Sequence, residues 1–412
     1  LTEFGGASWH NARPMKTRDL QLPEPDEAAR AASAALCHHL ACGIAAAGGW
    51  LPFSRYMELA LYAPGLGYYS GGAQKFGAAG DFVTSPEISP LFAQTLARPA
   101  AEVMAQSAPH VLEAGAGSGV LAAELLGELE RLGQLPETYS ILELSGELRA
   151  RQRQTLLACV PHLLSRVVWL DSLPARFSGL VLGNELLDAM PVSVVAWREA
   201  SAPGAAGEIL ERGVSLDEQG HFVWADRPAR GALLAAARGL EVAAPYVSEI
   251  NLAASVWVAG WGGILDTGAL LLIDYGFPRQ EYYHAQRRTG TLMCHYRHHA
   301  HDNPLWWPGL NDITAHVDFT AIAEAGFDAG LAVLGYTTQA SFLLNCGLTD
   351  ALARLQERVS GRGERHYLAA ARAAEKLILP HEMGELFKVI AFGRNLARPI
   401  PGFMPGDRLH TL

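Results

Sequence analysis

The sequence has few cysteines, no excess of positive charge and no long apolar run. Its five cysteines, Cys37, Cys42, Cys159, Cys294 and Cys346, are odd in number and include no Cys-x-x-Cys pair, as in a reduced protein without a disulfide framework. Lysine and arginine total 32 against 42 acidic residues, for a net charge of −10, which argues against non-specific nucleic-acid binding. No apolar stretch reaches the roughly 20 residues that span a bilayer. We therefore expect a cytoplasmic protein without a membrane span, acting on a small molecule or a basic protein segment.

Strands and helices alternate through the middle of the chain. The apolar pattern predicts strands at residues 110–113, 138–144, 166–170, 180–183 and 270–274. Strands that are separated by helices imply an α/β fold with a mostly parallel sheet that is covered on both faces. Such sheets bind ligands beyond the carboxyl ends of their strands. We therefore expect the functional residues just after each strand.

Additions are predicted on both sides of this alternation. The pattern predicts helices at 28–48 and 53–61, a loop at 76–90, a helical turn at 185–189, antiparallel strands near 192–197, 207–216 and 221–225, and helices at 248–262 and 314–325. We therefore predict an N-terminal part at 1–90 and a catalytic domain at 91–412. Within the catalytic domain we expect an insertion at about 192–262 and helical additions at the C-terminal end.

A glycine-rich turn follows the first strand of the alternation. Gly115, Gly117 and Gly119 are spaced G-x-G-x-G ahead of a predicted helix, and Glu113 stands just before them. Glycines allow a close approach of backbone to ligand, and a helix N-terminus attracts a negative group such as a methionine carboxylate. The dinucleotide fingerprint requires G-x-G-x-x-G, so the spacing favours S-adenosylmethionine over NAD. A purely structural glycine turn is the alternative.

Acidic residues follow the next two strands. Glu143, at the end of the second strand, could accept hydrogen bonds from both ribose hydroxyls, as an acid does in dinucleotide-binding folds. Asp171, after the third strand, could accept from the adenine amino group. A solvated surface carboxylate is the alternative for Glu143.

The fourth strand leads into the sequence GNELLDAMP at 183–191. Gly183 and Asn184 fall at the strand end, where Asn184 would lie beside the transferred methyl group. Glu185 and Asp188 are three residues apart, so on a helical turn they would share one face and could grip a cation. The alternative for Asn184 is that it caps the helix.

Histidines cluster at 295, 298, 299 and 301, near Trp306 and Trp307. The spacing contains no H-E-x-x-H and no paired Cys-x-x-Cys, so we expect a solvated or substrate-facing loop and no metal. The two tryptophans could form a peptide-binding wall, although buried core is the more frequent role of such residues.

An ordered series of short motifs resembles the MidA-type methyltransferases, a family that includes the mitochondrial complex I assembly arginine methyltransferase. The resemblance runs from about residue 53 onward. Its carriers are YM at 56–57, LY at 61–62, GYY at 67–69, GDFVTSPE at 80–87, EAGAGSG at 113–119, GNE at 183–185, DAMP at 188–191, DYG at 274–276, DITAHVDF at 312–319 and MGE at 383–385. Family members often have Gly-Pro-Gly in the glycine loop, and the segment at 294–301 resembles bacterial members rather than mitochondrial ones.

The resemblance implies a Rossmann-like class I methyltransferase core with a helical N-terminal part and an inserted β/helical segment. It implies that the loop at 80–87 closes over the cofactor, S-adenosyl-L-methionine, and that the reaction is protein arginine methylation. The expected cofactor-binding residues are Gly80, Thr84, Ser85, Pro86, Glu113, Gly115, Gly117, Gly119, Glu143, Asp171, Gly183 and Asn184. The expected catalytic residues are Glu185, Asp188 and Asn184, with Asp81 and Glu87 as helpers.

The implied partner is a protein with a basic, arginine-containing segment, such as a respiratory complex I-type subunit. The antiparallel strands of the insertion could also pair between subunits of a homodimer. Three other functions stay open: a small-molecule methyltransferase of the same fold, a non-catalytic assembly factor that binds the same cofactor, and, more distantly, an NAD oxidoreductase.

Overall fold

The computed structural model describes residues 22–71, 84–200, 207–359 and 364–412. The α-helices of this part of the chain are α1 Glu27–Ala46, α2 Phe53–Tyr62, α3 Ser85–Ile88, α4 Pro90–Gln106, α5 Val120–Arg131, α6 Gly146–Cys159, α7 Gly231–Arg238, α8 Leu252–Ile264, α9 Arg279–Tyr282, α10 Phe319–Asp328, α11 Gln339–Asn345, α12 Leu348–Val359, α13 Glu364–Ile378 and α14 Met383–Leu386. Among these described helices, none combines the length and apolarity that crossing a bilayer requires.

The strands alternate with these helices through much of the chain. They are β1 Leu51–Pro52, β2 His110–Ala114, β3 Thr138–Leu142, β4 Val167–Leu170, β5 Phe177–Asn184, β6 Ser193–Arg198, β7 Glu208–Leu216, β8 Phe222–Pro228, β9 Tyr246–Ile250, β10 Leu265–Phe277, β11 Met293–Tyr296, β12 His299–His301, β13 Asp312–Thr314, β14 Val317–Asp318, β15 Ala332–Thr338 and β16 Phe387–Arg394.

The chain forms two compact units, and each is assembled from separate segments. The core unit comprises Val83–Asp188, Ala254–Arg279 and Val317–Leu412, within the described residues. The accessory unit comprises the described residues of Leu1–Phe82, Ala189–Ala253 and Gln280–His316. The accessory unit therefore includes a third segment, 280–316, that lies outside the insertion predicted at 192–262.

The core unit is built on one mixed sheet in the strand order β15-β16-β10-β5-β2-β3-β4, with β14 beside β10. The run from β10 to β4 is parallel, whereas β16 is antiparallel to both of its neighbours. Apolar side chains of α4, α5 and the central strands, among them Phe92, Leu125, Leu182 and Leu271, share one buried cluster. The α/β class and the mostly parallel core of the sheet are as predicted.

The register of the sheet aligns the carboxyl ends of its parallel strands. Ala114 pairs with Leu142 on one side and with Gly183 on the other. Leu142 in turn pairs with Leu170, and Gly183 with Leu272. The residues that follow these positions therefore form one row along the edge of the sheet, which is where a ligand binds in such folds.

The accessory unit contains an antiparallel sheet in the order β1-β7-β6-β9, with β8 beside β7, and a smaller sheet in the order β12-β11-β13. The antiparallel strands predicted for the insertion correspond to β6, β7 and β8. Helices α1 and α2 contribute Leu36, Leu40, Phe53 and Tyr56 to the buried cluster of this unit. Trp306 is partly buried there, and its ring contacts the rings of Tyr296 and His301.

Four local predictions were wrong. The helix predicted at 248–262 begins at Leu252, because the apolar run before it forms β9. The helix predicted at 314–325 begins at Phe319, where the Asp318 side chain accepts hydrogen bonds from the backbone N–H groups of residues 320 and 321. The loop predicted at 76–90 contains α3 in its described part, residues 84–90, and Pro90 already belongs to α4. The helical turn predicted at 185–189 does not form.

Candidate active site

The glycine-rich turn lies between β2 and α5. Gly115, Gly117 and Gly119 all have positive φ angles, of 71°, 50° and 81°. L-residues other than glycine rarely adopt this region. Gly115 is exposed, so its backbone is open to a ligand, and α5 begins directly after Gly119. The predicted strand, glycine turn and helix are therefore present in this order.

Gly119 is also required by packing. A Cβ atom at this position would lie 2.9 Å from the Cα of Gln152, a backbone atom of α6. The Gln152 side chain donates from Nε2 to the carbonyl oxygen of Gly117 at 3.1 Å and to Oε2 of Glu143 at 3.1 Å. Trp169 Nε1 donates to Gln152 Oε1 at 2.9 Å. Gln152 thereby joins the glycine turn to the acid at the end of the next strand, a link between distant segments that no local sequence pattern predicts.

Glu143 lies directly after β3, in the aligned row, and is partly exposed. Its Oε1 accepts from the backbone N–H of Ser145 at 2.8 Å, which orients the carboxylate. Burial raises the pKa of Glu143, and the hydrogen bonds from Ser145 and Gln152 partly offset this effect. The position is suited to accepting hydrogen bonds from a ribose, as predicted from its place after the second strand.

Asp171 follows β4 in the same row, and its side chain is 88% exposed. Its Oδ1 accepts from Nη2 of Arg149 at 2.6 Å, and the same guanidinium also holds the carbonyl oxygens of Glu143 and Leu170. Arg149 therefore ties the ends of β3 and β4 together. The proposed contact of Asp171 with adenine stays a prediction.

Glu113 does not lie at the surface of the site. It is 2% exposed within β2, and its Oε2 accepts from the hydroxyl of Tyr139 at 2.6 Å. Burial raises the pKa of Glu113 to about 7, the Tyr139 hydroxyl lowers it, and the charge of Glu143 raises it further. Glu113 therefore lies inside the sheet beneath the glycine turn, and its role in cofactor binding stays a prediction.

The segment after β5 is an irregular loop that wraps around one buried carboxylate. Oδ2 of Asp274 accepts from the backbone N–H groups of Leu186, Leu187 and Asp188, at 3.1, 2.8 and 3.3 Å. Asp274 is 1% exposed and lies within β10, the neighbour of β5, just after the last residue that pairs with β5. A carboxylate that accepts three successive N–H groups fixes the shape of a loop without any helix. Asp274 belongs to the motif DYG at 274–276, but no local pattern in the sequence predicts this role.

The same loop shows why the helical turn was wrongly predicted. Glu185 has a φ of 49°, in the left-handed region, and its backbone N–H donates to the carbonyl oxygen of Ile273 at 2.9 Å. Strand pairing therefore extends to Glu185, and the residues after it do not form a helix. The three-residue spacing between Glu185 and Asp188 thus does not place their side chains on one helical face. A non-glycine residue in this conformation is frequent at functional sites. Asn184, which is 9% exposed, also has no helix here to cap.

The carboxylates of Glu185 and Asp188 are nevertheless close enough for the charge of Asp188 to raise the pKa of Glu185. Oε1 of Glu185 accepts from the backbone N–H of Ser85 at 3.1 Å and from Nδ2 of Asn184 at 3.0 Å. Burial and the negative charges of Asp188 and Glu87 raise the pKa of Glu185 to about 8, against these two hydrogen bonds. Burial and the charges of Asp188 and Glu185 also hold the pKa of Asp274 well above its usual range. These four acids, Glu87, Glu185, Asp188 and Asp274, are called the carboxyl cluster below.

The start of α3 closes one side of this cluster. Thr84 precedes α3 and is partly exposed, whereas Ser85 and Pro86 are buried. Glu87 Oε1 accepts from the hydroxyl of Ser118, within the glycine turn, at 2.9 Å. Gly183, at the carboxyl end of β5, is buried, and the side chains of Leu186 and Leu272 pack close to it. The described part of the motif at 80–87 thus meets the glycine turn, while Gly80 and Asp81 lie outside the described residues.

The histidine segment lies in the accessory unit, on and around the β11–β12 hairpin. His298 and His299 are exposed, whereas His301 is 7% exposed and its Nε2 is 2.9 Å from Oδ1 of Asn311. The expectation of a solvated or substrate-facing loop is therefore wrong for His301. Within the described ranges, no group of three or more His, Cys, Asp and Glu residues has the arrangement of a metal site.

Comparisons with known proteins place this geometry in a family. Residues 93–337 match a family model described as "Putative S-adenosyl-L-methionine-dependent methyltransferase". The chain is 31% identical to the mitochondrial protein arginine methyltransferase NDUFAF7 of Danio rerio, over 85% of either chain. It is 28% identical to the NDUFAF7 homologue of Drosophila melanogaster, over 94% of either chain.

A solved structure is closer still in sequence. It is described as a "likely methyl transferase from Burkholderia thailandensis bound to S-adenosyl-homocysteine", and it is 55% identical to this chain with a TM-score of 0.89. The match covers 95% of this chain and 100% of that structure. Because S-adenosyl-homocysteine is the demethylated product of S-adenosylmethionine, this relative identifies the cofactor. The chain belongs to the MidA-type family of S-adenosylmethionine-dependent methyltransferases, and S-adenosylmethionine is its methyl donor.

Proposed function

We propose that this methyltransferase transfers the methyl group to an arginine side chain of a protein. The observation that carries the proposal is the carboxyl cluster, whose acids follow β5, lie within β10 or lie on α3, beside the glycine turn. The printed names of the NDUFAF7 relatives, protein arginine methyltransferases, support the same acceptor class. A respiratory complex I-type subunit is the candidate acceptor.

The described residues fit the cofactor in a Rossmann-like orientation. The open backbone at Gly115 and the N-terminus of α5 suit the carboxylate of the methionine end. Glu143, one strand further along the row, suits the ribose hydroxyls. Asp171 continues the row toward the adenine. In this orientation Asn184 and the carboxyl cluster would be the residues next to the sulfur end of the cofactor.

Several carboxyl groups in one partly buried place are costly unless a cation joins them. Burial first, and then the charges of the neighbouring carboxylates, raise the pKa values of Glu185 and Asp274, as expected for acids crowded in such a place. A guanidinium is planar, remains charged at any physiological pH and offers paired N–H donors that match a carboxylate. An arginine side chain that enters the cluster would relieve the repulsion. A neutral, apolar acceptor would leave the repulsion in place.

The residues of the cluster would then position the acceptor for an in-line displacement. The cofactor supplies its methyl group from a sulfonium, so that the N–CH3 bond forms as the S–CH3 bond breaks. Glu185 and Asp188 would orient the guanidinium and draw its positive charge away from the attacking nitrogen. That nitrogen loses one proton, which a carboxylate with a pKa of about 8, such as that of Glu185, can accept. Asp274 contributes by holding the 186–188 backbone in place, which makes it a positioning residue.

Methyl transfer can be followed with a labelled donor. Purified protein is incubated with methyl-labelled S-adenosylmethionine and host lysate, and the labelled protein is hydrolysed to amino acids. We expect the label in methylated arginine, and its loss when Glu185→Gln replaces the native protein. Label confined to small metabolites would contradict the proposal in favour of a small-molecule methyltransferase. Absence of label from every fraction would contradict it in favour of a non-catalytic assembly factor.

A further inference from the structure

Two buried oxygen atoms at the candidate site have no hydrogen-bond donor among the described residues. They are Oε2 of Glu87 and Oδ1 of Asn184. Native proteins pair most buried polar atoms, since an unpaired buried acceptor has lost its hydrogen bonds to water without a replacement. Asn184 is 9% exposed, so bulk water does not satisfy its oxygen. Two such acceptors in one site indicate a ligand group that donates hydrogen bonds.

The partners of these two side chains locate the oxygens. The other oxygen of Glu87 accepts from the Ser118 hydroxyl at 2.9 Å, and Ser118 lies between Gly117 and Gly119, in the turn that leads into α5. The amide nitrogen of Asn184 donates to Glu185 Oε1 at 3.0 Å. Asn184 itself ends β5, which pairs with β2, the strand that leads into the glycine turn. Each side chain is therefore held by a hydrogen bond through one of its polar atoms, Oε1 of Glu87 and Nδ2 of Asn184. The second polar atom of each, Oε2 of Glu87 and Oδ1 of Asn184, is left for a ligand.

The methionine end of the cofactor has the complementary chemistry. Its carboxylate suits the N-terminus of α5, and its ammonium group is bonded to the same carbon atom, so it must lie within a few ångströms of that N-terminus. An ammonium group has three donors and no acceptor. A carboxylate oxygen and an amide oxygen satisfy two of these donors, and the carboxylate also balances the positive charge.

We propose that Glu87 and Asn184 bind the α-ammonium group of the cofactor, with Glu87 as its charge partner. This assignment rests on the cofactor orientation given under the proposed function, and it is independent of the identity of the acceptor. The two charged groups of the methionine end are then bound separately. The N-terminus of α5 and the glycine turn bind the carboxylate, and Glu87 binds the ammonium group. It also separates Glu87 from Glu185 and Asp188, which serve the acceptor.

The test is a calorimetric cycle on the full chain without any acceptor. Two ligands are titrated into the native protein and into Glu87→Gln: S-adenosyl-homocysteine, and its analogue in which hydrogen replaces the α-amino group. A charge-assisted hydrogen bond predicts that the native protein prefers S-adenosyl-homocysteine by about 10- to 100-fold. Glu87→Gln should reduce this preference to within about threefold and leave the affinity for the analogue unchanged. Glu130→Gln removes the charge of an exposed acid near the end of α5; it is the control and should behave as the native protein does.

Each other outcome has a definite meaning. If Glu87→Gln retained the full preference, or if the native protein showed none, Glu87 would not bind the ammonium group and the proposal would be overturned. Equal weakening of both ligands would also overturn it, because Glu87 would then act only by shaping the loop. The comparison of the two ligands on the native protein does not depend on whether the variant folds. Failure of arginine methylation would leave all of these affinities unchanged, so the two proposals can fail separately.

Discussion

Glu185→Gln and Asp188→Asn should each lower kcat/KM for an arginine-containing acceptor by on the order of 10²- to 10³-fold. Removing one charge from a buried, hydrogen-bonded charge pair costs about 2–5 kcal/mol, and about 1.4 kcal/mol corresponds to a factor of ten. Both substitutions keep the size of the side chain, so the loop around Asp274 should retain its shape. Steady-state kinetics with a labelled methyl donor measure the loss.

The affinity for S-adenosyl-homocysteine separates this role from a structural one. It should change by less than about threefold in both variants, because neither carboxylate is assigned to the cofactor. Glu130→Gln removes the same charge from an exposed position and should leave kcat/KM unchanged. Full activity in both Glu185→Gln and Asp188→Asn would contradict the assignment of these two carboxylates to the acceptor.

The pH dependence of kcat/KM is a second test of the role of Glu185. Glu185 is neutral in the free enzyme below its pKa of about 8, whereas the guanidinium of an arginine is charged throughout this range. Only the ionised carboxylate attracts the acceptor, so kcat/KM should rise with pH and level off above about pH 8. In Glu185→Gln this rise should disappear, and its persistence would assign the titration to another group.

Gly119→Ala should weaken the binding of S-adenosyl-homocysteine by about 10- to 100-fold. The added methyl group would lie 2.9 Å from the backbone of Gln152, at a φ of 81°. The turn would escape this contact by changing shape, and ligand binding would have to restore the strained form, at about 1–3 kcal/mol. Displacement of α6 would also disturb the Gln152 amide that joins Gly117 to Glu143. Calorimetric titration measures the affinity.

Gly133→Ala is the matched control for this substitution. Gly133 also has a positive φ, of 68°, but an added Cβ atom there would have no neighbour within 4 Å. The control should lower the stability by about 1 kcal/mol through backbone strain alone and leave the affinity unchanged. Equal affinities of the two variants would show that contact with α6 does not shape the cofactor turn.

The parts of the fold that were predictable depend on local patterns. Alternating apolar strands and helices gave the parallel core, and the G-x-G-x-G spacing gave the turn before α5. Once the strands are parallel, their carboxyl ends must meet at one edge, so Glu143, Asp171 and Asn184 could be placed together from the sequence alone. The conformation of single strands and turns depends on neighbouring residues, so it can be predicted from the sequence.

The parts that were not predictable depend on contacts between distant segments. Asp274 decides the shape of the 185–188 loop from almost ninety residues away, and its three N–H contacts replace the helix that the local sequence favoured. Glu87 meets Ser118 for a similar reason. Segment 280–316 belongs to the accessory unit, and no local sequence pattern predicts this long-range packing. The homodimer, the cytoplasmic location and the identity of the acceptor protein stay predictions.

A crystal structure of this chain with S-adenosyl-homocysteine bears most directly on the assignment of the site. We expect the ribose hydroxyls within about 3 Å of the Glu143 carboxylate, the amino-acid end over the glycine turn and the sulfur facing Glu185 and Asp188. A ribose distant from Glu143, or a sulfur turned away from these two carboxylates, would contradict the assignment.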